Sequence, residues 1–163
     1  MTVEIDTPLL IVGGGPAALI AGTVASGYSM GSLIVGHEPV CPEEPVRLEA
    51  EVLEILKPHG VINVLLPYAD STEPVVIKAS VFEQVLKHHC VVNMNITLYD
   101  GMLVSDLCCG KKRTNATISD GLTQWSVKAD RLLNTAHLPI ELNGAIREGA
   151  RLAKSLIAAA MAQ

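Results

Sequence analysis

Residues 8–22, PLLIVGGGPAALIAG, constrain this chain more than any other part of it. Residues 9–12 form a short, wholly apolar run of the kind that becomes a buried parallel strand. The pattern Gly13-x-Gly15-x-x-Ala18 follows at once and opens onto the small residues Ala17, Ala18, Ala21, Gly22 and Ala25. Each position has a mechanical reason. Gly13 permits a tight turn, Gly15 lets backbone approach a diphosphate, and Ala18 lets a helix pack closely on the sheet. The start of that helix, at Pro16 and Ala17, would offer free N–H groups and a partial positive charge to an anion. A strand, a glycine bend and a helix in this order point to binding of a dinucleotide.

A second apolar run, residues 32–35, ends in Gly36-His37-Glu38. Glu38 lies slightly beyond the roughly 20 residues expected between the glycine bend and an acid that holds a ribose. Gly36, His37 and Glu38 are therefore candidates for the nucleotide side of the site. Residues 39–45 form a proline-rich connector, and Cys41 within it is a weak candidate for a thiol facing a cofactor.

Helices are predicted at residues 48–56, closing near Pro58-His59-Gly60, and after a capping-box pattern, Ser80-x-x-Glu83, closing near His88-His89. Strands are predicted at residues 61–66 and 94–99. Three short strands then follow at 102–107, 115–119 and 123–128, separated by turns, as an antiparallel meander over about 102–128. Residues 130–135 give one more strand. Residues 144–160 give a closing helix, with Ile146, Ala150, Ala153, Ile157 and Ala160 at helical spacing. The order of parts is α/β: a Rossmann-like fold with a parallel sheet, a three-stranded meander and a C-terminal helix, as one domain over 1–163.

With 163 residues and 49% hydrophobic content the chain is long enough for a sizeable core. A net charge of −5 argues against a nucleic-acid partner, which requires a concentrated basic face. Lys111-Lys112-Arg113, after Gly110, reads as a solvated hairpin tip. Cys41, Cys90, Cys108 and Cys109 show neither a disulfide framework nor metal-ligand spacing, so no metal is expected and a reducing, cytoplasmic setting fits. Residues 7–36 carry no charge, but their glycines make a poor membrane helix, and Glu4 and Asp6 do not suit a signal peptide. No membrane association is expected.

These parts resemble the FAD-binding domain of two-dinucleotide flavoproteins, above all the thioredoxin-reductase-like branch. The resemblance rests on LLIVGGGPAALIAG, LIVGHE, ITLYDGM, the meander and GAIREGARLA. It implies that Gly13, Gly15 and Ala18 hold the diphosphate turn, that Glu38 lies by the adenosine ribose, and that the Met102 backbone faces the adenine edge. It also implies that Gly144, Ala145 and Ile146 bring a helix N-terminus to the flavin, where a positive dipole end favours the anionic reduced form. The chain departs from that family in three ways. LLNTAHLP at 132–139 stands where the family has an Ala-Thr-Gly strand end and a later Gly-Asp pair, so Ala136 or His137 takes the place of the aspartate. The inserted NAD(P)H domain is absent, and there is no CxxC pair. His137 is the weak catalytic candidate, since a histidine titrates near neutral pH. The implied activity is that of a small FAD-dependent oxidoreductase or redox subunit, served by a partner chain or a small-molecule donor. An NAD(P)-binding Rossmann protein and a non-catalytic dinucleotide-binding or assembly module are the alternatives. A half-enclosed cofactor would call for a partner subunit or a homo-oligomer to supply the missing wall.

Overall fold

A computed structural model of the chain describes residues 3–36 and 43–162. The first strand, β1 (Val3–Val12), runs into the glycine bend and then into α1 (Pro16–Gly27) and β2 (Ser32–Gly36). Leu9, Leu10 and Ile11 are all fully buried, on both faces of the strand. That is the burial a central parallel strand imposes, and it explains why the run does not alternate with polar residues. Next come β3 (Pro45–Arg47), α2 (Ala50–Leu56), α3 (Val61–Leu65), β4 (Ser71–Thr72), β5 (Val75–Lys78) and α4 (Ala79–Val91). The chain returns through β6 (Ile96–Asp100), β7 (Leu103–Cys109), β8 (Thr114–Ser119) and β9 (Gln124–Asn134), and ends in α5 (Leu142–Met161).

The main sheet has the order β6-β2-β1-β9-β8-β7. Its first four strands are parallel, and β8 and β7 are antiparallel hairpin additions. The helices pack on one face, where Leu9, Ile11 and Ile34 meet Phe82, Leu86, Ile146 and Ile157. The other face gathers Leu10, Leu33 and Val35 against Met102, Ile118 and Val127. The sheet curls so that β7, last in the order, comes back toward β2. A Rossmann-like α/β domain with a meander and a closing helix is therefore what the described residues form.

Three local expectations are corrected, and one feature is new. Residues 61–66, expected as a strand, form α3, because Val61 and Leu65 lie four residues apart and both bury into the helical layer. The strands expected at 123–128 and 130–135 are one continuous strand, β9. Its first part pairs with β8 on one edge, and nearly its whole length pairs with β1 on the other. Asp130 does not interrupt it, since its carboxylate stays at the surface, 3.3 Å from Arg113 Nε. The capping box is not used: α4 starts at Ala79 after Lys78, without a side-chain cap, and Glu83 is buried. A small separate sheet, β3-β5-β4, has no counterpart in the sequence reading.

His59 sits in a 3-10 turn after α2, packed so closely under α1 that a β-carbon on Gly27 would lie 2.9 Å from its ring. Burial holds its pKa below the ordinary histidine value, and the charges of Lys154 and His89 add to the effect. The folded state thus prefers neutral His59, whereas the unfolded chain takes up a proton near the usual pH of about 6.5. The site's contribution to stability is complete above that pH and is lost as pH falls below it. His59→Gln is expected to flatten the acid side of a plot of thermal midpoint against pH between about 5 and 7. An unchanged slope would show that His59 does not govern this part of the acid response.

Candidate functional site

The parallel strands β6, β2, β1 and β9 all end on one side of the sheet, where open α/β folds place their ligands. The glycine bend stands at the middle of that edge. Gly13 has φ of 129° and Gly15 has φ of 85° with ψ of −171°, a region that residues with a β-carbon rarely enter. The Gly13 N–H donates to Val35 O at 2.9 Å, which ties the bend to the end of β2. Gly36 completes the fit: a β-carbon there would lie 2.5 Å from the Gly13 carbonyl carbon.

α1 begins directly behind the bend. Gly15 is its N-cap and Pro16 its first residue, with no side chain capping the end. Leu19 N–H reaches Gly15 O at 3.2 Å, so Ala17 and Ala18 carry the N–H groups that lack an intrahelical acceptor. No acidic side chain lies in that first turn. This end of α1 is set up to receive an anion by backbone and dipole alone.

A cleft of about 470 Å³ opens in front of the bend. That volume falls within the range of roughly 300–1,000 Å³ usual for small-molecule sites. Gly13, Gly14, Pro16, Ala17 and Gly36 form its floor. Met102, Leu103 and Val104 form the wall at the start of the meander, while Thr135, Ala136 and Ala145 lie across from them. Leu138, Pro139 and Ile140 make an apolar lip. No side chain lining the cleft among the described residues is ionisable.

Of the sequence-derived candidates, Gly13, Pro16, Ala17, Gly36, Met102, Ala136 and Ala145 thus meet around one cleft. Gly15 and Ala18 line a narrower recess behind the bend. His37, Glu38 and Cys41 lie outside the described residues. Three other expectations change. His137 is exposed and is not part of the lining, although Ala136 and Leu138 on either side of it are. Ile146 is fully buried in the core, because one residue further along a helix turns the side chain away from the face that Ala145 presents.

The third change concerns the start of α5. Its N–H groups are not left open for a ligand. Glu141 is the N-cap, and its carboxylate accepts from Asn143 N–H at 3.1 Å and Gly144 N–H at 3.0 Å. Gly144 is buried against that carboxylate and Pro139, where a β-carbon would come within 2.9 Å of Glu141 Oε2. The positive end of α5 is therefore already met by the chain's own negative charge.

Asn143 is a residue that the sequence reading passed over. It is buried, its Nδ2 donates to Arg47 O at 3.0 Å, and its Oδ1 accepts from Glu49 N–H at 3.0 Å. Arg147 pairs with the Glu49 carboxylate beside it. Together they pin the segment entering α2 to the start of α5. The available signal was a polar residue inside an otherwise apolar helical stripe. Asn143→Ala leaves two backbone groups without their partner and is expected to lower stability by about 2–3 kcal/mol in urea denaturation. A loss below about 0.5 kcal/mol would mean that water replaces the amide without penalty.

No group of three or more His, Cys, Asp or Glu side chains among the described residues is arranged to hold a metal ion. No described helix is long and apolar enough to cross a membrane. Cys108 and Cys109 are free and exposed at the end of β7, and Cys90 is free and buried, where burial raises its thiol pKa.

No protein-family model matches the chain, and no curated protein is similar to it in sequence. Solved structures are similar in fold. One is the flavin-dependent monooxygenase PieE in complex with FAD and substrate, with a TM-score of 0.68 and 18% identity, over 80% of this chain and 30% of that one. Another is p-nitrophenol 4-monooxygenase PnpA from Pseudomonas putida, with a TM-score of 0.66 and 13% identity, over 82% of this chain and 41% of that one. A third is a flavoprotein/dehydrogenase from Cytophaga hutchinsonii, with a TM-score of 0.61 and 14% identity, over 80% of this chain and 39% of that one. The chain thus spans less than half the length of these structures. What it shares with them is a Rossmann-like fold.

Proposed function

We propose that this chain is an FAD-binding domain of a flavoprotein oxidoreductase. The observation that carries the reading is the uncapped start of α1 behind a bend whose backbone strongly favours glycine, facing an open cleft. The fit is favourable for a diphosphate: Ala17 and Ala18 supply N–H donors, and Gly13 and Gly36 let the bend pack directly on Thr135 and on the end of β2, which fixes it in front of the helix start. FAD, when bound, supplies the electron-transfer chemistry, and the protein supplies binding and orientation. In this reading the Met102 backbone would face the adenine, and the apolar lip at Leu138–Ile140, which borders the same cleft, would shield the ring system from water. The solved structures of similar fold, among them flavin-dependent enzymes, support this cofactor over NAD(P).

Two finer points belong to the same reading. The motifs favour the thioredoxin-reductase-like branch, while the structures of similar fold named above are two monooxygenases and a flavoprotein/dehydrogenase. The cleft is open on one side, so a partner subunit or second copy is expected to complete it, in a cytoplasmic setting. A second reading is a binding module without chemistry of its own. The absence of ionisable side chains from the described cleft lining favours it.

The test is a flavin extraction from freshly purified protein, followed by titration of the stripped protein with FAD and with NAD. Flavin released on heating, with rebinding that quenches flavin fluorescence, is the expected result. Saturable binding of NAD with none of FAD would overturn the assignment.

A further inference from the structure

Two helices start at the cleft, and their ends are finished differently. Ala17 of α1 and Ala145 of α5 both line it. The start of α1 has no side-chain cap and no acidic residue in its first turn. At α5 the N–H groups of Asn143, Gly144 and Ala145 all end on Glu141. The first two donate to its carboxylate, at 3.1 and 3.0 Å, and the third to its backbone carbonyl, at 2.8 Å. That carboxylate stands close behind the cleft wall. Gly144 packs between Glu141 Oε2 and Pro139, a residue of the apolar lip.

The relative sizes of the two charges set the sign of the field there. An aligned helix places about half a positive charge at its start, and an ionised carboxylate brings a full negative one. The neighbouring charges do not reverse the balance. Arg147 is paired with Glu49 and Arg151 with Glu148, while no ion pair among the described residues includes Glu141. Arg47, whose backbone carbonyl Asn143 holds, is exposed, as is His137, and solvent screens both. The end of α5 is therefore net negative where α1 is net positive.

We propose that Glu141 sets the redox preference of the bound cofactor: its charge makes the site hold oxidised FAD more tightly than reduced FAD. This rests on the FAD reading above, in which the ring system lies under the lip that Glu141 follows in the chain. Reduction adds two electrons and one proton to the ring, which leaves it with one more negative charge than the oxidised form. An open helix start favours that anion, and a helix start carrying a carboxylate repels it. FAD bound here is harder to reduce than free FAD and, once reduced, gives its electrons up more readily.

The experiment titrates FAD bound to the purified chain, and free FAD in the same mildly alkaline buffer, with dithionite beside a reference dye. Oxidised FAD is expected to bind about ten-fold more tightly than reduced FAD, which places the bound potential about 30 mV below the free one. Glu141→Gln keeps an oxygen for the Asn143 and Gly144 N–H groups, removes the charge and raises the bound potential by about the same amount. Glu141→Asp keeps both the charge and a capping oxygen, and its potential stays with the parent. A merely structural cap would move the thermal midpoint, or the affinity for both forms together, and leave the potential of all three chains alike. Bound FAD that is no harder to reduce than free FAD, or a Glu141→Gln chain with the parent's potential, overturns the proposal and leaves FAD binding standing. Failure of the unmodified chain to bind FAD refutes the underlying reading and the proposal with it.

Discussion

Gly15→Glu is expected to weaken FAD binding by at least about 100-fold, or about 2.7 kcal/mol, while the chain still folds. Two effects combine. Gly15 has φ of 85° and ψ of −171°, and any residue with a β-carbon is strained there by about 1–3 kcal/mol. The new carboxylate would also stand at the open end of α1, where Ala17 and Ala18 present their N–H groups, and would take the place of the ligand's negative charge. Gly15→Ala separates the two effects, because it keeps the strain and omits the charge. FAD affinity is expected to be highest in the parent chain, lower in the Gly15→Ala variant and lowest in the Gly15→Glu variant. Far-ultraviolet circular dichroism should stay unchanged throughout. Equal affinity in the alanine and glutamate variants would show that no anion rests at this helix end.

Gly149→Leu is expected to lower stability by about 3 kcal/mol, at the upper end of the usual cost of overpacking. α5 crosses α1 at this residue, and a β-carbon on Gly149 would lie 2.5 Å from the carbonyl oxygen of Ala17. The obstacle is backbone, so no rotamer change relieves it and the two helices must separate. Ala17 also lines the cleft, so the same displacement should weaken FAD binding. Ala158→Leu, at an exposed position on the same helix, serves as the control and should change stability by less than about 0.5 kcal/mol. Urea denaturation of the parent and both variants checks the two numbers. A Gly149→Leu chain as stable as the parent would mean that the α1–α5 contact is loose.

The parts of this fold that were legible in the sequence are those whose requirements are local. The glycine bend can be read because the backbone at Gly13 and Gly15 strongly favours glycine and because the flanking run and helix are adjacent to it. α5 can be read because Ile146, Ala150, Ala153 and Ile157 repeat at helical spacing and all bury. The meander's hairpins are marked by their turns. What was not legible depends on contacts far apart in the chain. Residues 61–66 carry an apolar run as suitable for a strand as for a helix, and packing against the helical layer decides the matter. The continuity of β9 follows from its pairing with β1, which no local pattern shows.

The site divides in the same way. Ala145 and Ile146 look alike as neighbours of a helix start, yet one faces the cleft and the other the core. The closure of α5 by Glu141 is readable in principle, because an acidic residue just before a helix is a cap signal. The family resemblance, which assigns that helix end to a flavin, obscures it. Lys87 and Asp100 carry no motif, and only the packing of α4 on α1 and the pairing of β6 with β2 bring them near the bend. His137 illustrates the opposite error, in which a reactive side chain draws attention to a position that the fold leaves in solvent.

Whether the glycine bend and the start of α1 hold a flavin dinucleotide can be read from the backbone amide resonances of the isotope-labelled chain during titration with FAD. Saturable shifts are expected at Gly13, Gly14, Ala17 and Ala18, with smaller ones at Met102 and Ala145, which border the same cleft. Shifts confined to the α3–α4 groove around Tyr68 and Gln84, or no saturable shift at all, would contradict that binding site.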